Sequence, residues 1–217
     1  MLTRMADHRN HDAVRRSYDT VAEEYATRLH DELDAKPLDR ALLAALVEQT
    51  GLDGPIADLG CGPGHVAAHL TALGARTVGV DLSPGMVAEA RRRHPAVEFR
   101  QGDLLDLPAE DGEFAAAVAL YTIIHLAPDE LLPAFTEAHR VLRPSGLLLV
   151  SFHRGTEIRH LDDWWGHDVN LDFHFLSTDA VADLLTEAGF TLEARLERPP
   201  HPQEAPTPRS YLLTRRL

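Results

Sequence analysis

The segment from Ile56 to His65, I-A-D-L-G-C-G-P-G-H, constrains the fold of this chain more than any other. It opens with a short apolar run, which predicts a buried strand. Gly60, Gly62 and Gly64 then alternate with other residues, which predicts a tight turn where the backbone passes close to a ligand. Residues 66–70 resume an apolar pattern with helical spacing. Such a strand–turn–helix unit, at the carboxyl edge of a parallel sheet, is the usual nucleotide site of a doubly wound fold.

The spacing of the glycines argues against a dinucleotide and therefore against an NAD-type oxidoreductase. The dinucleotide fingerprint requires G-x-G-x-x-G, because a pyrophosphate sits on the helix N-terminus. Here His65 occupies the place of the third glycine. Asp58 also lies two residues before the first glycine, where a carboxylate would repel a pyrophosphate and attract a cation.

The pattern D-x-G-x-G-x-G resembles motif I of the class I S-adenosylmethionine (SAM)-dependent methyltransferases. SAM carries an ammonium and a sulfonium group, so its charge agrees with an acidic residue at Asp58. Three later segments resemble further motifs of that family in the same order, and the resemblance covers roughly residues 12–152. The four segments are D-L-G-C-G-P-G, G-V-D-L-S, G-D-L-L-D-L-P and V-L-R-P-S-G.

The resemblance implies an α/β fold with a doubly wound, Rossmann-like sheet. We expect seven mostly parallel strands with strand seven antiparallel, helices on both faces, and a single domain over residues 12–217. Residues 1–11 are expected to form a disordered leader, residues 12–50 two N-terminal cap helices, and residues 153–176 an irregular substrate lid. The strands are predicted at residues 55–57, 77–80, 97–101, 114–120, 147–152, 190–197 and 210–214.

Composition narrows the class of protein. A chain of 217 residues, 44% hydrophobic and 25% charged, suffices for one globular α/β domain. The net charge of -13 argues against nucleic-acid binding, which needs a basic face. One cysteine makes no internal disulfide, and the sequence predicts neither a signal peptide nor a membrane-spanning segment. We therefore expect a cytoplasmic monomer or homodimer that acts on a small molecule and binds no membrane.

The resemblance also implies which residues hold the cofactor. Asp81 is expected to accept hydrogen bonds from the two ribose hydroxyls, and Asp103 from the adenine amino group. Tyr18 and Arg28, in the first helix, would reach the cofactor carboxylate. Met86 would pack on the adenine, although Met86 and Tyr18 also fit ordinary core positions. The implied cofactor-binding set is Tyr18, Arg28, Asp58, Gly60, Cys61, Gly62, Gly64, Asp81, Leu82, Met86, Asp103, Leu104 and Leu120.

Methyl transfer is an in-line displacement in which the protein mainly positions the two reactants. A hydroxyl or amine acceptor also needs a general base, whereas a carboxylate does not. His125, after strand four, is the first candidate base, since imidazole titrates near pH 6.5, and His153, after strand five, is the second. The alternative is that His125 only shapes the pocket. Tyr121, Trp164 and His174 are candidate substrate contacts.

The sequence predicts no metal site, and it leaves open both the acceptor class and one alternative function. The histidines and aspartates of residues 160–174 match no metal-ligand spacing, so no metal is predicted. The segment after strand four lacks an N-P-P-Y/F tetrapeptide, which leaves O-, C-, S- and small amine acceptors open. The alternative function from another class is a SAM-binding regulatory or scaffold protein that transfers no methyl group.

Overall fold

A seven-stranded sheet forms the centre of the molecule, in the order β3-β2-β1-β4-β5-β9-β8. The computed structural model describes residues 3–51, 53–202 and 204–217, with side chains from His11 onward. Within them the strands are β1 (Ile56–Leu59), β2 (Thr77–Asp81), β3 (Glu98–Gln101), β4 (Phe114–Leu120), β5 (Leu142–His153), β6 (Ile158–Trp164), β7 (His167–His174), β8 (Phe190–Arg198) and β9 (Arg209–Arg216). β1 to β5 pair in parallel, and β9 lies antiparallel to both neighbours. The predicted sheet is confirmed.

Helices cover both faces of this sheet. They are α1 (Thr3–Arg28), α2 (Pro37–Thr50), α3 (His65–Ala72), α4 (Pro84–Arg93), α5 (Leu131–Val141) and α6 (Thr178–Glu187), with 3-10 turns at Glu32–Ala35 and Ile123–His125. Alternate residues of the buried strand β4 serve the two faces. Ala116 and Val118 pack in the core beneath α2 and α3, and Ala117 and Ala119 in the core beneath α5 and α6. None of the described helices has the length and apolarity that a membrane span requires.

Local sequence explains where these elements begin. Pro37 occupies the first turn of α2, where its missing N–H costs nothing. The Ser83 hydroxyl caps α4 by accepting a hydrogen bond from the Met86 amide at 3.0 Å. Strand order reverses between β1 and β4, so their carboxyl ends open a crevice in which a doubly wound fold binds its ligand.

Residues 153–176 contain an ordered hairpin, which corrects the prediction of an irregular segment. β6 and β7 pair antiparallel, and Trp164 lies opposite His167. The two residues between them, Trp165 and Gly166, both have positive φ (59° and 84°), as in a two-residue hairpin turn. The inner face of β7 packs on α1 around Val169 and Leu171.

The first helix is longer than predicted. It begins at Thr3 rather than at residue 12, so its backbone includes most of the segment expected to be a leader. The part of that prediction that concerns residues 1 and 2 lies outside the described residues. The inward face of α1 carries Val21 and Ala22, which pack against Met86 of α4.

Candidate functional site

A cavity of about 650 Å³ opens at the carboxyl ends of the central strands. Helix α1 and the β6–β7 hairpin pack over it. The predicted site residues that line this cavity are Tyr18, Asp58, Gly60, Cys61, Gly62, Asp81, Leu82, Met86, Asp103, Leu104, Leu120, Tyr121, His125, His153 and Trp164. The fold therefore brings together predicted residues from seven separate segments of the chain.

Three predicted residues lie elsewhere. The exposed guanidinium of Arg28 pairs with Glu24 at 2.6 Å and lies 4.9 Å above the ring of Trp165, outside the cavity lining. Gly64 faces Phe99, whose Cζ would lie 2.7 Å from a Cβ added there, so this glycine serves packing. His174 is buried at the end of β7 and does not line the cavity.

The first two glycines of the loop perform different tasks. A Cβ on Gly60 would lie 2.0 Å from Thr122 Oγ1, and its φ of 72° is left-handed, so only glycine fits there. A Cβ on Gly62 would meet only Tyr25, at 4.0 Å, although its φ of 52° is again left-handed. The backbone at Gly62 therefore borders the open cavity.

Two buried carboxylates flank this loop. Asp58, at 2% exposure, has one carboxylate oxygen, Oδ2, with no hydrogen-bond partner, and burial raises the pKa of its carboxyl to about 7. Asp81 accepts hydrogen bonds from the amides of Gly62 and Ser83, both at 2.8 Å. Burial raises the pKa of Asp81 to about 6. A cavity edge with an unpaired buried carboxylate oxygen suits a cationic group.

Asp103, past the end of β3, is held by His11 from the other side of the cavity. The ring nitrogen Nδ1 of His11 lies 2.7 Å from Asp103 Oδ2, and its Nε2 lies 3.0 Å from Glu130 Oε1. The hydrogen bond to Asp103 is the main reason that the pKa of His11 rises to about 9. Sequence reasoning missed His11, because it fell at the end of the predicted leader.

Tyr18 and His125 form a pair whose proton positions follow from their partners. His125 Nδ1 lies 3.1 Å from the carbonyl oxygen of Asp172, which can only accept, so Nδ1 carries the hydrogen. His125 Nε2, 2.7 Å from the Tyr18 hydroxyl, therefore accepts from it. Burial lowers the pKa of His125 to about 4. In this arrangement the Nε2 lone pair, which a general base would use, is bound to the hydroxyl of Tyr18.

His153, at the end of β5, is also a poor base. The Thr207 hydroxyl lies 2.8 Å from its Nδ1. Burial, followed by the charges of Arg209 and Lys36, lowers the pKa of His153 to about 4. Both candidate bases are therefore neutral imidazoles at physiological pH.

A charged cluster at one end of the cavity was not predicted. The cavity is lined there by Lys36, Asp39, Glu204 and Arg209. Lys36 and Asp39 come from the start of α2. Glu204 comes from the proline-rich connection before β9, which the sequence predicted as a linker, and Arg209 is the first residue of β9. An isolated lysine or arginine in such segments gives no sequence signal, because most such side chains are solvated.

Aromatic side chains form the wall between α1 and the hairpin. The Trp164 ring packs edge-on against Tyr18 and Tyr25, with ring centres 5.8 and 5.5 Å apart. Trp164 lines the cavity, whereas Trp165 lies beside Arg28. Among the side chains described from His11 onward, no group of three His, Cys, Asp or Glu residues could hold a metal ion.

Comparison with known sequences places these residues in a wider group. A family model described as a methyltransferase domain matches residues 56–146. An uncharacterised methyltransferase of Synechocystis is 32% identical over 142 residues, which are 63% of this chain and 66% of that protein. A trans-aconitate 2-methyltransferase of Methylobacterium nodulans is 44% identical over 100 residues, which are 44% of this chain and 36% of that protein.

The chain spans between 34% and 66% of the length of the curated relatives it matches. Among solved structures, the magnesium protoporphyrin IX methyltransferase of Synechocystis with bound SAM has a TM-score of 0.74 at 18% identity. That match covers 96% of this chain and 97% of the other. At this identity the likeness establishes the fold alone.

Proposed function

Because this chain belongs to the class I SAM-dependent methyltransferases, we propose that it transfers the methyl group of SAM to a small-molecule acceptor and releases S-adenosylhomocysteine. The observation that carries the proposal is the unpaired Oδ2 of the buried Asp58, beside a glycine loop that is open at Gly62. A buried carboxylate oxygen without a partner is costly unless a ligand supplies a cation. The ammonium of SAM is such a cation.

The other cofactor groups have matching partners along the same edge. Asp81 is fixed by two backbone amides and borders the cavity, which suits a bidentate acceptor for the ribose hydroxyls. Asp103, bordering the same cavity, is the proposed acceptor for the adenine amino group. Leu82, Met86 and Leu104 supply an apolar lining for the adenine. When bound, SAM supplies an electrophilic methyl group on a sulfonium, which is a good leaving group.

The residues of this chain would orient the acceptor and exclude water. Tyr18 of α1 and the hairpin residues Trp164 and Phe173 form an apolar wall of the cavity. His153 is proposed to orient the acceptor and His125 to shape the pocket; neither is proposed to deprotonate the acceptor, since both have pKa values lowered to about 4. The cavity of about 650 Å³ and the relative named for trans-aconitate support a small-molecule acceptor.

The first test is calorimetric titration with S-adenosylhomocysteine. Wild type is expected to bind, and Asp81→Asn to bind at least about tenfold more weakly, because a charge-assisted hydrogen bond contributes about 1.5–3 kcal/mol. Asp183→Asn, an exposed position on α6, is the matched control and is expected to bind like wild type. Binding of NADH in place of S-adenosylhomocysteine would contradict the proposal.

The second test measures turnover. SAM is incubated with panels of hydroxyl, carboxylate, thiol and amine acceptors, and formation of S-adenosylhomocysteine is measured. Turnover of at least one acceptor class, lost in Asp81→Asn, is the expected result. Tight cofactor binding with no turnover of any panel would instead favour a SAM-binding regulatory protein.

A further inference from the structure

Three nitrogen-bearing side chains surround the ring of Tyr121 at the charged end of the cavity. Lys36 Nζ lies 5.0 Å and Arg209 Cζ 5.8 Å from the ring centre. The imidazole of His153 lies 5.3 Å from it, centre to centre. All four side chains line the cavity. Lys36 is also the only lysine in the sequence.

Lys36 shares its counterion. Its Nζ lies 3.2 Å from Glu32 Oε1, and the same oxygen lies 3.2 Å from His65 Nε2. Burial alone would raise the pKa of the Glu32 carboxyl. His65 and Lys36 outweigh it and lower that pKa to about 2. The Lys36 side chain is only 12% exposed, so its charge is directed at the cavity rather than at bulk water.

Arg209 also competes for its counterion. Glu204 lies 3.3 Å from Arg209 Nε but is engaged by the two terminal nitrogens of Arg198 at 2.6 and 2.8 Å. Arg209 Nη1 donates to the carbonyl oxygens of Ala205 and Thr207. Among the described residues, the structure gives Nη2 of Arg209 no partner.

The hydrogen positions at His153 follow from the same neighbours. Arg209 Nη1 lies 3.5 Å from the Thr207 hydroxyl oxygen and can only donate to it. The Thr207 hydroxyl can then donate its hydrogen to His153 Nδ1, 2.8 Å away. In that tautomer the neutral imidazole carries its own hydrogen on Nε2, for which the structure gives no partner among the described residues, so Nε2 can donate to a ligand.

We propose that the Lys36, His153 and Arg209 side chains bind a carboxylate group of the methyl acceptor. This proposal rests on the proposed function, because it names the chemical class of acceptor for that site. Two cations with shared counterions and one neutral N–H donor suit a single negative charge. A dianionic phosphate is disfavoured, because Asp39 and Glu204 line the same end and would repel the second charge.

The single lysine permits a direct test. Reductive methylation with ¹³C-formaldehyde keeps the charge of Lys36 and gives one lysine signal in the NMR spectrum, with the N-terminal amine as internal control. Benzoate and succinate, and their neutral amides, are titrated into protein saturated with S-adenosylhomocysteine. We expect the carboxylates to shift the lysine signal and the amides to leave it unmoved. A lysine signal unmoved by both carboxylates would overturn the proposal.

Charge-matched variants then identify the cause. We expect Lys36→Met to weaken binding of the better carboxylate at least tenfold by calorimetry, and Lys36→Arg to keep it within about threefold. Arg195→Met, an exposed position on β8, is expected to bind like wild type. Equal binding by Lys36→Met and wild type would overturn the proposal.

The cofactor control separates the two proposals. S-adenosylhomocysteine binding is measured first for each variant. If wild type does not bind it, the proposed function fails. If wild type binds it and Lys36→Met loses that binding too, Lys36 belongs to the cofactor end, and only the carboxylate proposal is overturned.

Discussion

If Asp58 binds the ammonium group of the cofactor as proposed, this one residue couples cofactor binding to pH. Its carboxyl is buried beside the glycine loop, and burial raises its pKa to about 7. In the protein without bound cofactor, Asp58 is therefore partly protonated near neutral pH. A bound ammonium favours the ionised form, so binding must expel that proton.

The affinity for S-adenosylhomocysteine is accordingly expected to rise between pH 5.5 and 7.5. Each bound proton that binding displaces weakens the affinity by up to about tenfold per unit of pH below the pKa. Asp81, whose pKa is raised to about 6, adds to the pH dependence of the affinity in the acidic part of this range. Calorimetry at several pH values measures the slope, and Asp58→Asn should reduce it. A slope that is the same in Asp58→Asn and wild type would contradict this role.

In the absence of ligand, the buried Asp58 carboxyl is expected to lower the free energy of unfolding above neutral pH. An unfolded aspartate has a pKa near 3.9, and the folded one about 7. The folded state therefore holds a proton that the unfolded state lacks, and stability falls as pH rises through this window. We expect Asp58→Asn to be more stable than wild type by about 1 kcal/mol or more at pH 8, and not at pH 4. Urea unfolding at both pH values measures this difference, with Asp183→Asn as control.

At the scale of elements, α1 is the part of the site that closes over the cavity. His11 bridges to Asp103 and Glu130, and Tyr18 donates to His125. Ser17 exchanges hydrogen bonds with the backbone of Asn170 in β7, at 2.8 and 3.3 Å. The helix is therefore bound to both the sheet edge and the hairpin by polar contacts, as well as by its apolar face.

Tyr18→Phe tests the contact between α1 and His125. The variant keeps the ring and removes the only hydrogen that Tyr18 donates, so the pKa of His125 is expected to rise, because a hydrogen bond to its neutral form is lost. The free energy of unfolding should fall by about 1 kcal/mol. An NMR titration of the histidine ring signals measures the pKa, and Tyr25→Phe in the same aromatic cluster is the control. An unchanged His125 pKa would contradict the proton assignment.

The central strands were predictable and the hairpin was not, for physical reasons. β1 and β4 are buried on both faces, so they appear in the sequence as short continuous apolar runs next to glycine turns. The hairpin turn uses Trp165 in a left-handed conformation, where asparagine or aspartate is usual. The one signal in the sequence was the alternation of Val169, Leu171 and Phe173 with polar residues, and the first two of these are buried on β7.

At the scale of the whole molecule, the two halves of the site differ in how far sequence could predict them. The proposed cofactor half is local: Asp58 and Asp81 lie in the strands that position them, Asp103 lies just past the end of β3, and a sequence motif surrounds each of them. The proposed acceptor half joins Lys36, Tyr121, His153 and Arg209, which line the cavity and come from four distant segments. Their proximity depends on strand order and on the antiparallel return of β9, so no local pattern contains it.

A buried polar network holds that acceptor half together. Tyr121 and Tyr211 are joined through their hydroxyls at 2.9 Å, and Tyr211 donates to Asp39 of α2 at 3.1 Å. Arg198 donates to the Tyr211 hydroxyl at 2.7 Å and pairs with Glu204. The network therefore connects α2, β8 and β9 to the loop that carries Tyr121.

Arg198→Met is expected to destabilise the fold by about 3–5 kcal/mol, because it leaves the buried carboxylate of Asp39 without its cation and Glu204 with Arg209 alone. Urea unfolding measures the loss, and Arg195→Met, exposed on the same strand, should cost no more than about 0.5 kcal/mol. Adding Glu204→Gln should recover part of the loss, since a carboxylate that has lost Arg198 is removed. Equal costs for the two arginine variants would contradict a structural role for the network. Because Arg198 holds the Tyr211 hydroxyl that fixes Tyr121, the folded fraction of Arg198→Met should bind carboxylates more weakly while its affinity for S-adenosylhomocysteine stays unchanged.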